Sequence, residues 1–171
     1  ERGPLTMFRQ ILAGLEAFDA DYVFFCEHDV LYHPSHFEFT PPRDDRFYYN
    51  TNVWRVRGDG FAVRTDDCRQ TSGLCANREL LLEHYRKRVE IVERDGFTRR
   101  MGFEPGTHRR KERVDDFGSE TWESEFPNLD IRHEGNLTKA RWSPEEYRDK
   151  RFAKGWQESH IDVLPGWEKA A

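Results

Sequence analysis

Cysteine is scarce in this sequence, and long apolar runs are missing. The 171 residues contain only three cysteines, Cys26, Cys68 and Cys75, which excludes a disulfide-rich secreted scaffold. Cys68 and Cys75 can pair in an oxidising compartment, but three reduced thiols in a cytoplasmic protein is the simpler interpretation. No stretch approaches the ~18 apolar residues that a bilayer-spanning helix needs. The sequence therefore predicts no transmembrane segment.

An excess of positive charge is also missing, as are internal repeats and low-complexity tracts. The net charge is -5 and the pI is about 5.8, so the chain lacks the basic footprint of a general nucleic-acid-binding protein. Apolar residues make up 36%, and 13 Phe, 6 Tyr and 5 Trp supply bulky core material. This composition excludes a disordered chain and predicts one domain over residues 1–171.

The first 26 residues predict a helix followed by a strand. Apolar residues recur at helical spacing over residues 4–18. The run 22–26 is continuously apolar, which is typical of a strand buried on both faces in a parallel sheet. The remaining elements are predicted as strands at 47–50, 52–56, 61–64 and 129–133, helices at 78–94 and 119–125 and from Ser143, and a loop at 97–118. Asn77 is the expected cap of the second long helix, and Gly96 its end.

The acidic segment Glu27-His28-Asp29 ends the apolar strand abruptly. Ligands of open α/β sheets bind outside the carboxyl ends of strands. Carboxylate oxygens bind Mg²⁺ and Mn²⁺, and a cation held in this way neutralises a departing diphosphate. The alternative is a solvated strand end with no ligand.

An amphipathic helix, an acidic link, an aromatic strand and Glu27-His28-Asp29-Val30-Leu31-Tyr32 together resemble the middle of the GT-A glycosyltransferase fold. The resemblance covers residues 4–35 well and the remainder only by order of elements. It implies an α/β fold, a GT-A-like mixed sheet with flanking helices, that begins after the earlier nucleotide-binding part. It also implies Mn²⁺ or Mg²⁺ bound by Asp29, a UDP-linked nucleotide sugar as donor, and a hexosyltransferase-like activity. Glu27 stands where Asp is usual, and it would contact the metal or the ribose.

The resemblance further implies a late histidine on the same metal. His133 follows a predicted strand and precedes the turn 134–136, so its setting repeats that of Asp29. His160 lies nearer the C-terminus and is the competing residue. Either one is equally a surface or hydrogen-bonded histidine.

Cationic and acidic residues in the second half supply the other candidate roles. Arg132, Lys139 and Arg141 are candidates for contacts with the donor's phosphates. An inverting transferase needs a carboxylate that takes the acceptor's proton. GT-A enzymes commonly carry it near the start of a helix, which favours Glu120, with Asp116 and Asp115 as alternatives. An acidic first turn that complements the helix dipole explains the same residues without catalysis.

Two other functions compete with glycosyl transfer. His28, His33 and His36 with Asp29 suggest a transition-metal site and hence a metal-dependent hydrolase or phosphotransferase, although their spacing is not a standard zinc pattern. The five tryptophans suggest a non-catalytic carbohydrate-binding module instead. Asn50 and Asn52, which lie between aromatic residues, would contact sugar hydroxyls or close a strand.

Overall fold

The computed structural model describes residues 3–98, 101–108, 114, 117–136 and 138–168. Its elements in chain order are α1 (Pro4–Glu16), β1 (Tyr22–Phe24), β2 (Val30–Leu31), β3 (Arg46–Asn50), β4 (Val53–Val56), β5 (Phe61–Arg64), β6 (Leu74–Asn77), α2 (Arg78–Asp95), β7 (Gly118–Trp122), β8 (Asn128–Ile131) and β9 (Gln157–His160). Short 3-10 turns lie between several of them. The class is α/β, as the sequence predicts.

The chain forms two compact units. The first contains residues 1–25, 40–49 and 69–120, and the second contains 26–39, 50–68 and 121–171. The prediction of one catalytic domain over the whole chain stays a prediction.

The first unit packs α1 and α2 with a sheet of order β1-β6-β3-β7. Its core contains Phe8 and Leu15 from α1, Tyr85 from α2, and Phe47 and Tyr49 from β3. These side chains are almost fully buried, since none is more than 3% exposed. The helical spacing of the apolar residues thus predicted the buried faces of both helices, except that α1 ends at Glu16 and Phe18, expected on its core face, is exposed.

Helix α2 begins and ends where the sequence predicts. The side chain of Asn77 accepts hydrogen bonds from the backbone N–H groups of Glu79 and Leu80 at 2.9 and 3.3 Å. At the other end Gly96 has φ of 79°, a conformation that glycine adopts without strain. Both predictions are confirmed.

The second unit contains a sheet of order β2-β8-β4-β5-β9. β4 and β5 form the antiparallel hairpin that the turn at Gly58–Gly60 predicts, and β8 runs parallel to β4. One face packs Trp54, Val56 and Leu129 against Leu164 and Trp167 of the C-terminal segment. The sheet places β8 between β2 and β4, and this order positions the candidate site.

Several local predictions are wrong. β1 pairs antiparallel with β6 at the sheet edge and is half-buried, whereas a parallel strand buried on both faces was expected. The helix expected at 119–125 is strand β7, because pairing in the sheet overrides the weak capping signal of Ser119. The helix expected from Ser143 is only the 3-10 turn Pro144–Glu146, although its capping box is present.

Candidate functional site

The acidic segment of residues 27–29 lies in a turn that leads into β2. The backbone N–H of Val30 donates to the carbonyl of Glu27 at 3.3 Å and closes the turn. The backbone carbonyl of Asp29 accepts a hydrogen bond from the N–H of Ile131 at 2.8 Å. Because Ile131 ends β8, Asp29 is positioned by β8 rather than by the apolar strand that precedes it in sequence.

His133 lies two residues beyond the same end of β8. The N–H of Arg132 continues the ladder to the carbonyl of Val56 at 2.8 Å. A turn then closes over residues 133–136, where the N–H of Asn136 donates to the carbonyl of His133 at 3.2 Å. The imidazole Nε2 of His133 consequently lies 3.9 Å from Oδ2 of Asp29.

Three side chains converge here, and their candidate ligand atoms lie within 4.8 Å of one another: His28, Asp29 and His133. The Asp29 side chain is 16% exposed and that of His133 is 49% exposed. Asp29 also accepts a hydrogen bond at Oδ2 from the side-chain amide of Asn136 at 2.6 Å. The group is thus open to solvent on the histidine side and anchored on the carboxylate side.

The donor set suits a divalent cation in chemistry and in spacing. Bonds of about 2.0–2.2 Å to one ion place neighbouring ligand atoms roughly 3–4 Å apart. The Asp29–His133 distance of 3.9 Å lies within that range. Two imidazoles beside one carboxylate favour transition metals over Mg²⁺, which prefers oxygen.

One hydrogen bond has to change before His133 binds a cation through Nε2. Its Nδ1 accepts the backbone N–H of Gly135 at 3.1 Å, so the neutral ring carries its proton on Nε2. A ligating histidine usually donates through its second nitrogen. Binding through Nε2 would therefore move the ring proton to Nδ1 and release Gly135.

The other two predicted metal ligands lie apart from this group among the described residues. Glu27 is exposed, and its backbone N–H donates to the hydroxyl of Tyr32 at 2.9 Å. His160 ends β9, where Nε2 lies 3.1 Å from the carbonyl of Asp59 and Nδ1 lies 3.4 Å from a carboxylate oxygen of Asp162. Sequence reasoning favoured His133 over His160 but treated His28 as a neighbour rather than a ligand.

The three predicted phosphate-binding cations have different surroundings. Arg132 donates through Nη2 to Oδ2 of Asp130, and the two side chains are 14% and 5% exposed. The guanidinium of Arg141 lies over the ring of Tyr147 at 5.0 Å. Lys139 is exposed. Arg132 is thus committed to a buried carboxylate, and Arg141 and Lys139 are more accessible.

Of the three predicted catalytic carboxylates, only Glu120 is described. It lies in β7, where Oε1 is 3.7 Å from Nε of Arg46, and its side chain is 48% exposed. Asp115 and Asp116 lie outside the described residues. The helix N-terminus that favoured Glu120 is not formed, and the role itself stays a prediction.

His36, Asn50 and Asn52, which the sequence suggested for metal or sugar binding, belong to a buried hydrogen-bond network in the second unit. Nδ1 of His36 accepts hydrogen bonds from the side-chain amides of Asn50 and Asn128 at 2.9 and 3.0 Å. Asn52 donates to the carbonyl of Ser124 at 2.8 Å. Burial lowers the pKa of His36 to about 4, so it is neutral at pH 7. Asn50 and Asn52 are 1% and 8% exposed, which fits closing the strand rather than contacting a sugar.

His33 and Trp122 are similarly engaged in packing. Nδ1 of His33 accepts the N–H of Ser35 at 3.2 Å, and its ring contacts Phe126 at 4.5 Å. Trp122 stacks on Phe39 at 4.3 Å. Of the four residues expected to form a transition-metal site, His28 and Asp29 belong to the group of close ligand atoms. The third member of that group is His133, which follows β8.

Comparison with known proteins adds no relative: no family model matches the chain, and neither a curated protein nor a solved structure is significantly similar to it. Within the described residues, neither helix combines the length and apolar character needed to cross a bilayer.

Proposed function

We propose that this protein is a metal-dependent glycosyltransferase that moves a sugar from a nucleotide-sugar donor to an acceptor. One observation carries the proposal. Asp29 and His133, which the sequence suggested as ligands of one metal with His160 as the alternative histidine, lie 3.9 Å apart, and His28 joins them. The resemblance of the acidic segment to the GT-A motif is the reason for assigning this cluster to a metal ion that binds the donor's diphosphate.

His28, Asp29 and His133 would hold the cation, with Mn²⁺ favoured over Mg²⁺ by the two imidazoles. A bound cation supplies charge neutralisation for the donor's diphosphate. The chain's own contribution is to hold the ligand atoms close together before the donor arrives. The half-buried Asp29 keeps its orientation through the amide of Asn136.

Of the three predicted phosphate-binding cations, Lys139 and Arg141 remain the candidates for touching the donor's phosphates, since Arg132 already pairs with Asp130. Lysine acts there as a point charge and arginine as a planar donor. Glu27 is exposed, lies outside the group of close ligand atoms and remains the candidate for the ribose. Glu120 is the described candidate for taking the acceptor's proton, with Asp115 and Asp116 as the alternatives.

The test is calorimetry and electron paramagnetic resonance of Mn²⁺ binding to the whole chain. Asp29→Ala and His133→Ala are expected to lose Mn²⁺ and, with it, binding of nucleoside diphosphates from a panel of bases. Asp162→Ala and His160→Ala are matched controls, because they remove another exposed His–Asp pair and should bind as the wild type does. Unchanged Mn²⁺ binding in Asp29→Ala would refute the site.

A metal-dependent hydrolase is the second candidate, because two histidines and one carboxylate also match catalytic zinc sites that keep a position for water. The two functions differ in their need for an acceptor. Metal-dependent release of phosphate or sugar without any acceptor, together with tightly retained zinc, would favour the hydrolase. Transfer that depends on both Mn²⁺ and an acceptor would favour the glycosyltransferase.

A further inference from the structure

Asn136 connects the carboxylate and the late histidine of the cluster. Its side-chain Nδ2 donates to Oδ2 of Asp29 at 2.6 Å, across 107 positions in sequence. Its Oδ1 accepts the backbone N–H of His133, also at 2.6 Å. Its own N–H closes the turn to the carbonyl of His133 at 3.2 Å. One side chain therefore ties Asp29 to the segment that carries His133.

We infer that Asn136 is a positioning residue, which sets the orientation of the Asp29 carboxylate relative to His133. Oδ2, the oxygen that receives the amide, is also the one that lies 3.9 Å from the imidazole. A carboxylate oxygen has two lone-pair sites, so the amide occupies one and leaves the other for a cation. The effect of Asn136 on cation binding rests on the proposed function. The hydrogen bonds by which Asn136 connects Asp29 to the segment of His133 do not.

The side chain at position 136 has to donate and accept at once, and an amide does both. Aspartate would accept from the N–H of His133 but offer nothing to Asp29 except a second negative charge. Alanine would do neither. Asn136→Asp and Asn136→Ala therefore separate the two hydrogen bonds.

The preceding residue, Gly135, contacts the imidazole ring of His133 directly. A Cβ at Gly135 would lie 3.0 Å from Cε1 and 3.1 Å from Nδ1 of His133, closer than most side-chain contacts. The N–H of Gly135 donates to the same Nδ1. The turn 134–136 thus contacts the imidazole through Gly135 and the carboxylate through Asn136, which explains why its geometry bears on both ligands.

The first experiment measures Mn²⁺ affinity by paramagnetic resonance in the whole chain. Asn136→Ala is expected to weaken binding about 10–100-fold, the usual effect of removing a hydrogen-bond partner of a metal ligand. Asn136→Asp keeps the acceptor for the N–H of His133 but no longer donates to Asp29, so a comparable loss of affinity is expected in this variant. Asn77→Ala is the matched control, since it removes an asparagine that caps a helix in the other unit and should leave affinity unchanged.

The second experiment uses metal-free protein, so that failure of the two proposals can be told apart. The side-chain amide protons of Asn136, observed by ¹H–¹⁵N NMR, should shift when Asp29→Asn removes the charge that they contact. No shift would overturn the positioning role even if Mn²⁺ binds. If the wild type binds no Mn²⁺, the proposed function fails, and the NMR result alone decides whether Asn136 contacts Asp29. If the wild type binds Mn²⁺ and Asn136→Ala binds it equally well, the metal site stands and the positioning role is wrong.

Discussion

The guanidinium of Arg132 donates to Oδ2 of Asp130, and both side chains are largely buried. Asp130 lies in β8, opposite Val30 of β2 and Arg55 of β4. A carboxylate in the middle of a sheet keeps its charge only when a cation or hydrogen bonds compensate it. Arg132, which the sequence suggested for phosphate binding, therefore has a structural partner.

Arg132→Ala is expected to lower the free energy of unfolding by about 1.5–3 kcal/mol, because it removes a charge-assisted hydrogen bond from the buried carboxylate of Asp130. Arg141→Ala removes a half-buried arginine that stacks on Tyr147, and should cost less than about 1 kcal/mol. Urea denaturation of the two variants measures the difference. A stable Arg132→Ala protein that loses nucleotide binding would instead restore the phosphate role.

His36 makes stability depend on pH in the acidic range. Its pKa is about 4 in the folded state against 6.5 as the ordinary value, because burial disfavours the charged ring. The unfolded chain therefore binds the proton first. The contribution is fully present above pH 6.5 and is lost as the pH falls towards 4, by on the order of 2–3 kcal/mol.

The comparison is with His36→Gln, whose side-chain oxygen accepts from the same amides without titrating. Urea denaturation at pH 7 and pH 4.5 should show a smaller loss of unfolding free energy in this variant than in the wild type. Equal losses in the two proteins would exclude His36 as the source.

Removing the cap of α2 should destabilise the first unit modestly. Asn77→Ala leaves the N–H groups of Glu79 and Leu80 without their side-chain acceptor, at a cost of about 1 kcal/mol. Asn77→Ser keeps an acceptor and should recover most of the loss. Thermal unfolding followed by circular dichroism distinguishes the variants, and an alanine variant as stable as the wild type would contradict the cap.

The three thiols should react in two classes. Cys26 is exposed, whereas Cys75 is buried and burial raises its pKa to about 12. Burial also raises the pKa of Cys68 and of Cys26, so the exposure of Cys26 is what separates it from the other two thiols. An aromatic disulfide reagent at pH 8 should therefore modify Cys26 within the first phase and the other two only on unfolding. Cys26→Ser should abolish the fast phase, and a fast phase that persists in it would show that another thiol is accessible.

Local patterns predicted the elements whose signals lie within a few residues. Asn77 and Gly96 bound α2 because capping and a left-handed end depend on the helix's own backbone groups. The turn 58–60 predicted the β4–β5 hairpin for the same reason. Strand β6 was not predicted because it is a short apolar run of three residues, Leu74 to Ala76, that ends at Asn77, the cap of α2.

The sequence by itself determined the two helices and the chemical types at the candidate site: a carboxylate after an apolar strand and a histidine after a second strand. Only the tertiary structure decided that His133 rather than His160 lies beside Asp29, that His28 joins them and that Asn136 ties them together. It also decided that Arg132 faces Asp130 and that residues 118–122 form a strand. The reason is strand order. A residue's spacing along the chain fixes its local conformation, but β8 lies beside β2 only through pairing between segments distant in sequence, which no local pattern specifies.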